Sequence, residues 1–246
     1  MLWYKAWRET RNRFMMCVLT LIWVCTVILV LQSRSRFQSS PPMDYAAYVW
    51  NAIYKDYVRN LFVVLVMVLG CGGLRQEQSA GTAGFTLALP VRRSHLVMVR
   101  AAVGILEVVI AALVPAFVIP VLSQFTGEQY AVSQALQFAI LWARCGVLVF
   151  GLAQLLSTVI PGVASAWITC FLVTMLYTAI VNVSALDKYP GLDCFKIMSG
   201  ARLSYFNPSD HAITGPLPWV PLGVIVVLGA GCVVLAARIL ESKDFS

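Results

Sequence analysis

The sequence predicts an all-α, polytopic membrane protein with six transmembrane helices. The chain has 246 residues, of which 60% are hydrophobic and 12% are charged, about half the charged fraction of an average soluble domain. Its mean hydropathy of +0.81 is also high. Apolar runs long enough to cross a bilayer recur along the chain, separated by short polar segments. These observations favour one membrane domain over residues 1–246, with no room for a large soluble domain.

The six predicted spans are the apolar runs between polar breaks. One run, from the middle of the chain onwards, is too long for a single crossing, so Pro161 and Gly162 are predicted to form a tight turn within it. The predicted spans are Phe14–Leu31, Val58–Leu74, Leu96–Leu122, Ala135–Ile160, Gly162–Val183 and Pro218–Ala237.

The first 13 residues combine aromatic and cationic side chains at helical spacing. Trp3 and Trp7 recur on one face, while Lys5 and Arg8 lie on the others. Indole rings favour the headgroup region and cations bind anionic lipids. Residues 1–13 are therefore predicted to form an interfacial helix, and a solvated basic tail is the alternative.

The distribution of Lys and Arg predicts that both termini are cytoplasmic. Segments assigned to the inner face hold a larger excess of basic over acidic residues than those assigned to the outer face, as the positive-inside rule requires. The outer segments nevertheless carry several basic residues, including Lys55 and Arg59. The net charge of +7 is interpreted as contact with anionic membrane lipids rather than with nucleic acid. The expected location is the plasma or inner membrane.

Two segments are predicted at the outer face. Residues 44–59 form an amphipathic pattern and are expected to lie along that face before the second span. Residues 187–217 are polar and broken by Gly and Pro, so they are predicted to form a hairpin with two short helices. Asn207 would cap the second helix, with Pro208 at its first position. This hairpin either re-enters the membrane from outside or forms an extended loop.

The sequence offers no catalytic chemistry of its own. A phosphate-binding loop of the form G-x-x-x-x-G-K-[ST] is absent from it. The two histidines, His95 and His211, lie away from the centres of the spans, and the cysteines lack the paired spacing of metal ligands. The chain is therefore predicted not to be an enzyme and to hold neither a metal nor a cofactor.

Glu107 and Arg144 are the ionisable residues inside the predicted third and fourth spans. Counting the helical rise from each end places both at similar depth. They are predicted to form an interhelical ion pair. A structural role in locking two helices together is favoured over a role in a substrate path, because one such pair is little polar lining for a pore.

The segment 74–95 separates the second and third spans. Between Leu74 and Arg100 four arginines stand against one acid, Glu77. These charges cannot be left in hydrocarbon, so the segment must lie at a membrane face, and the basic excess indicates the cytoplasmic one. We interpret it as a coupling helix that receives force from a soluble partner. An ordinary basic loop that only fixes topology is the alternative.

Two motifs carry a resemblance to a known family. The pattern E-x-x-x-G-T, followed by L-P-V-R-R, resembles the first cytoplasmic loop of ATP-binding-cassette exporter permeases of the type-2 family, and W-x-K-x-W-R resembles the interface helix of that family. Arg100 stands where a Lys is common. The resemblance implies that the loop docks on a separate ATPase. The residues it assigns to coupling are Glu77, Gly81, Thr82, Pro90, Arg92 and Arg93.

The resemblance implies a permease subunit that forms a translocation pathway. ATP and Mg²⁺ would be bound by the partner ATPase, and a second permease copy or a homologue would complete the assembly. A self-contained secondary transporter or channel of six helices is the alternative function. Because one fold serves many substrates, the sequence predicts an exporter without naming its cargo.

Overall fold

The computed structural model describes residues 2–31, 44–71, 93–183, 193–201, 203, 206–207 and 211–242. These residues are mostly helical. Five of the helices are long and apolar enough to cross a membrane. The prediction of a helical, polytopic membrane protein is confirmed at this level.

Eight helices and one strand pair make up the described part of the chain. Two of the helices continue into a π-helical turn, α1 at Val27–Leu31 and α2 at Trp50–Lys55. The helices are α1 (Leu2–Thr26), α2 (Tyr45–Val49), α3 (Tyr57–Gly70), α4 (Arg93–Phe125), α5 (Val132–Val159), α6 (Val163–Val181), α7 (Cys194–Met198) and α8 (Trp219–Ser242). Strands β1 (Phe206–Asn207) and β2 (Ala212–Ile213) pair antiparallel.

Helix α5 lies at the centre of the bundle. It packs against α3, α4, α6 and α8, and the rings of Phe62, Phe138 and Trp142 are fully buried around it. Where α5 crosses α8, a Cβ on Gly151 would lie 2.4 Å from the carbonyl oxygen of Gly229. Glycine lets the two backbones approach this closely, as small residues commonly do between membrane helices.

The long helices alternate in direction, so the bundle has two distinct ends. At one end, Ala6 of α1 clusters with Val99 of α4, and Val97 of α4 clusters with Leu240 near the end of α8. We call this the connector end, because α3 ends and α4 begins there. The opposite end carries α7 and the strand pair, and we call it the hairpin end.

Five of the six predicted spans correspond to membrane-length helices, and the predicted second span does not. Helix α3 has 14 residues, about 21 Å of helix, where about 20 residues are needed to cross the hydrocarbon core. It is described only as far as Cys71, and it is separated from α2 by a break at Asp56 with φ −120° and ψ −91°. Six spans are therefore not established.

Two local predictions are wrong, and the structure qualifies a third. No break separates residues 1–13 from the first span, since α1 runs continuously from Leu2 to Thr26, so the interfacial helix is not a separate element. Residues 44–59 are interrupted at Asp56, and most side chains of α2 and its π-helical turn, including Tyr48 and Tyr54, are buried in the bundle; their location along the outer face stays a prediction. Asn207 lies in β1, opposite Ala212, and caps no helix. The other predicted hairpin helix is confirmed as α7.

Candidate functional site

The first candidate feature is a junction between α1 and α4 at the connector end. The guanidinium of Arg100 on α4 forms an ion pair with Glu9 on α1, and Lys5 adds a second, longer ion pair to the same carboxylate at 3.7 Å. Below this pair, Ala6 packs between Val99 and Val103 of α4. Charged and apolar contacts together fix the first turns of α4 to α1.

Glu107 extends this junction into the bundle. Its side chain is only 1% exposed, and one carboxylate oxygen accepts a hydrogen bond from the hydroxyl of Thr10. The other oxygen is buried without a hydrogen-bond partner among the described residues. The predicted ion pair with Arg144 is wrong, because the guanidinium of Arg144 lies over the ring of Trp219 at 4.7 Å. Glu107 faces α1, whereas Arg144 faces α8.

The predicted coupling residues lie largely outside the described residues. Only Arg93 is included, as the first residue of α4, and its side chain is not described. The residues outside the description are Glu77, Gly81, Thr82, Pro90 and Arg92. Their predicted role in docking stays a prediction.

The residues predicted for the interfacial helix are placed by the structure on two faces of α1. Trp3 is 57% exposed and Arg8 is also exposed. Trp7 is half-buried, and its ring centroid lies 5.6 Å from that of Phe14. Lys5 is half-buried beside Glu9. The tryptophans and cations therefore occupy the start of a long helix, where the Trp7 ring packs on Phe14 and the Trp3 ring is exposed.

The second candidate feature is a groove between α3 and α6 at the hairpin end. It encloses about 630 Å³, which is within the usual range for small-molecule sites. Its deeper walls are apolar or weakly polar, with Met67 on α3 and with Phe171 and Thr174 on α6. Its mouth carries charged side chains, among them Arg59 and Lys196. We call it the α3–α6 groove.

Arg59 is the central charged group of the mouth. Its Nη1 donates to the backbone carbonyl oxygen of Phe195 at 3.2 Å, and its Nε and Nη2 donate to the side-chain oxygen of Asn60 at 3.3 and 3.1 Å. The guanidinium also lies 5.5 Å from the centroid of the Phe195 ring. All of these partners are neutral, and no ion pair joins Arg59 to an acid within the described ranges. The arrangement orients the guanidinium without a direct ion pair, while the carboxylates of Asp56 and Asp193 act on it from beyond ion-pair distance.

Helix α7 closes one side of the α3–α6 groove and is firmly held. The indole of Trp50 donates to the carbonyl of Ser199 at 2.8 Å, and the indole of Trp142 donates to the carbonyl of Met198 at 3.1 Å. Asp193 caps the helix by accepting from the backbone N–H of Lys196 at 2.9 Å. Because α7 has only five residues, these contacts rather than helix propensity determine its position.

Sequence reasoning missed the groove. The charge pattern assigns Arg59 and Lys55 only to outer segments, where the positive-inside rule expects few basic residues. The number of basic residues in those segments is the signal that the sequence offers. The groove itself depends on how far apart α3 and α6 pack, and no local pattern specifies this distance.

The comparisons with known proteins do not place the chain in a family. No family model matches it, and no curated protein matches it in sequence. The likeness to type-2 exporter permeases therefore depends on the two motifs quoted above. Of the second motif, the structure describes Trp3, Lys5, Trp7 and Arg8 at the start of α1.

Proposed function

We propose that the protein is the membrane permease subunit of an ATP-driven exporter, with ATP hydrolysis on a separate subunit. The observation that carries this proposal is the position of α3. This helix forms one wall of the α3–α6 groove, and its last residue, Gly70, leads towards the connector 74–95. A force applied to the connector would act directly on a wall of the groove.

The other end of the connector supports the same mechanism. Residue 93 opens α4, and the ion pair between Arg100 and Glu9 attaches the beginning of α4 to α1. The connector is thus attached to the groove wall on one side and to the α1–α4 pair on the other. Moving these two attachments apart would change the width of the groove. In this proposal α2 and α3 together make the second of six crossings, with both termini cytoplasmic in the plasma or inner membrane.

A second permease copy, or a homologue, completes the proposed assembly. Only 17% of the most apolar window of α6 is buried, and large apolar side chains on it, including Leu172 and Leu176, are exposed. One chain therefore leaves an uncovered apolar face on α6, beside the groove. A cyclic pair of permeases would enclose a pathway between two such grooves.

Affinity purification in a mild detergent tests this proposal. We expect a Walker-type ATPase to co-purify with the tagged chain, and we expect Glu77→Lys to reduce its recovery. Glu241→Lys is the matched control, because it reverses an exposed acid at the connector end of α8 and should leave recovery unchanged. Absence of an ATPase from the wild-type sample, or full recovery with Glu77→Lys, would contradict the proposal.

The buried Glu107 favours one other candidate function, a self-contained secondary transporter. An intramembrane carboxylate with one unpartnered oxygen is the type of group that binds a proton or a cation in such proteins. This candidate predicts uptake or efflux in vesicles without ATP, driven by a proton gradient and abolished by Glu107→Gln. Transport that requires ATP, and that continues in Glu107→Gln, excludes it.

A further inference from the structure

We propose that the α3–α6 groove binds an amphiphile with an anionic headgroup. This inference rests on the exporter function proposed above, because it names the chemical class of the cargo. It has two parts, an apolar depth that accepts an alkyl chain and a cationic mouth that accepts the headgroup.

The depth of the groove fits an alkyl chain. Along α3, the lining runs from Arg59 at the mouth to Met67, eight residues deeper, which is about 12 Å of helix. On the α6 side it runs from Asn182, the residue after the helix, to Phe171, about 16 Å. The side chains between these limits are mainly apolar, with Val63 and Val64 on α3 facing Phe171 and Met175 on α6. An alkyl chain bound in this space would exchange its contacts with membrane lipid for contacts with these side chains.

The charges at the mouth favour an anion. Lys196 and Asp193 form an ion pair at 3.2 Å, so they largely compensate each other. Of the remaining lining charges, Lys55 and Arg59 are cationic and Asp56 is anionic. The ammonium of Lys55 lies 5.3 Å from the centroid of the Trp50 ring, which keeps this cation beside the mouth. The described lining therefore has a net positive charge.

Arg59 is the group that would contact the headgroup. A guanidinium has five N–H donors, and three hydrogen bonds to neutral oxygens orient it. The two other donors are available to an anion at the mouth. A phosphate or carboxylate binds guanidinium donors through short, charge-assisted hydrogen bonds. Orientation by Asn60 and by the carbonyl of Phe195 reduces the entropy lost when such an anion binds.

The combination of both parts distinguishes an amphiphile from a free anion. A mouth that bound only inorganic phosphate would need no apolar volume behind it. A purely apolar ligand would offer no acceptor to the two remaining N–H donors of Arg59. An anionic amphiphile satisfies both features of the groove.

Binding to the purified chain in dodecyl maltoside tests the proposal, with native mass spectrometry as the readout. The probes are oleoyl lysophosphatidic acid and oleoyl lysophosphatidylcholine, which share one alkyl chain and differ in headgroup charge. We expect about tenfold tighter binding of the anionic lipid, the effect of one charge-assisted contact. Arg59→Gln should remove this preference. Arg144→Gln is the matched control, since Arg144 contacts Trp219 outside the groove, and it should keep the preference.

A second variant tests the apolar part. Thr178 lines the groove on α6, and among the described residues its hydroxyl donates only to the carbonyl of Thr174 in the same helix. Thr178→Trp should weaken binding of both lipids about tenfold by filling the space. If Arg59→Gln does not fold, Lys55→Gln replaces it, because Lys55 is exposed; it should reduce the preference for the anionic lipid.

Four results would overturn the proposal. These are equal affinity for the two lipids, an equal loss in Arg144→Gln and Arg59→Gln, unchanged binding in Thr178→Trp, and displacement of the anionic lipid by inorganic phosphate at equal concentration. The second result would mean an unspecific contact with surrounding lipid. The exporter proposal fails separately, through absence of an ATPase partner. A headgroup preference without an ATPase would leave the groove assignment standing and remove the exporter.

Discussion

The closest helix crossing in the bundle provides a direct test of the packing described above. A Cβ added at Gly151 on α5 would lie 2.4 Å from the carbonyl oxygen of Gly229 on α8, whereas ordinary contacts begin at 3.4 Å. The obstacle is backbone, which cannot rotate away, so the two helices would have to separate by about 1 Å. Overpacking of this kind typically costs about 1–3 kcal/mol.

The expected effect of Gly151→Ala combines this cost with a gain. Because the obstacle is backbone at 2.4 Å, we take the upper part of the overpacking range, about 2–3 kcal/mol. Alanine is favoured over glycine in a helix by up to about 1 kcal/mol, which leaves a net loss of roughly 1–2 kcal/mol. For a chain of this size, 1 kcal/mol corresponds to about 2–4 °C in Tm. We therefore expect Gly151→Ala to lower the Tm by about 2–8 °C, measured as thermal unfolding of the purified protein in detergent.

Gly231→Ala is the matched control for this experiment. Gly231 lies on α8, and a Cβ there would meet no atom within 4 Å. Only the gain in helix propensity remains, so this variant should unfold at or above the Tm of the wild type. A Gly151→Ala protein with an unchanged or raised Tm would refute the close approach of α5 and α8. The double variant Gly151→Ala with Gly229→Ala should lose less stability than the two single variants added together, because one separation of the helices makes room for both methyl groups.

Three further outcomes follow from the site. Glu9→Arg should destabilise the α1–α4 junction, and Glu9→Arg with Arg100→Glu should recover about 1 kcal/mol, measured by a double-mutant cycle on thermal unfolding; no recovery contradicts the ion pair. Glu107→Gln and Arg144→Gln should change the free energy of unfolding additively, to within about 0.5 kcal/mol; strong coupling between the two variants would indicate that the side chains form an ion pair after all. Trp142→Phe should lose about 1–3 kcal/mol, because a buried carbonyl of α7 loses its donor; an unchanged Tm contradicts that anchor.

The membrane-crossing helices could largely be predicted because each depends on a local property of its own sequence. Apolar length alone predicts α4, α5 and α8, and the turn at Pro161 and Gly162 follows from an apolar run too long for one crossing. The structure confirms this turn, with a φ of +90° at Gly162. Glycine adopts a positive φ without steric cost, so this position suits a tight turn.

The wrong predictions share a different physical origin, namely dependence on neighbouring elements. Counting residues placed Glu107 and Arg144 at similar depth, but depth does not determine which neighbour a helix face meets. The structure directs these side chains to Thr10 and to Trp219. Likewise Asn207 has the chemistry of a helix cap, yet its backbone pairs with β2. In both cases tertiary contacts determine the position of the residue, and these contacts cannot be predicted from a single sequence.

The break at Asp56 connects the fold with the proposed function. The backbone N–H of Asp56 donates to the carbonyl of Asn51 at 3.2 Å, and its carbonyl accepts from the N–H of Asn60 at 3.1 Å, so the break leaves both of its own backbone groups hydrogen-bonded. It lies at the mouth of the α3–α6 groove, which Lys55, Asp56 and Arg59 all line. The aromatic side chains before the break, including Tyr54, pack instead into the core. The break therefore divides residues 45–70 into two elements with different surroundings. One is α2, which packs into the core, and the other is α3, which in the proposed exporter would act as a groove wall attached to the connector.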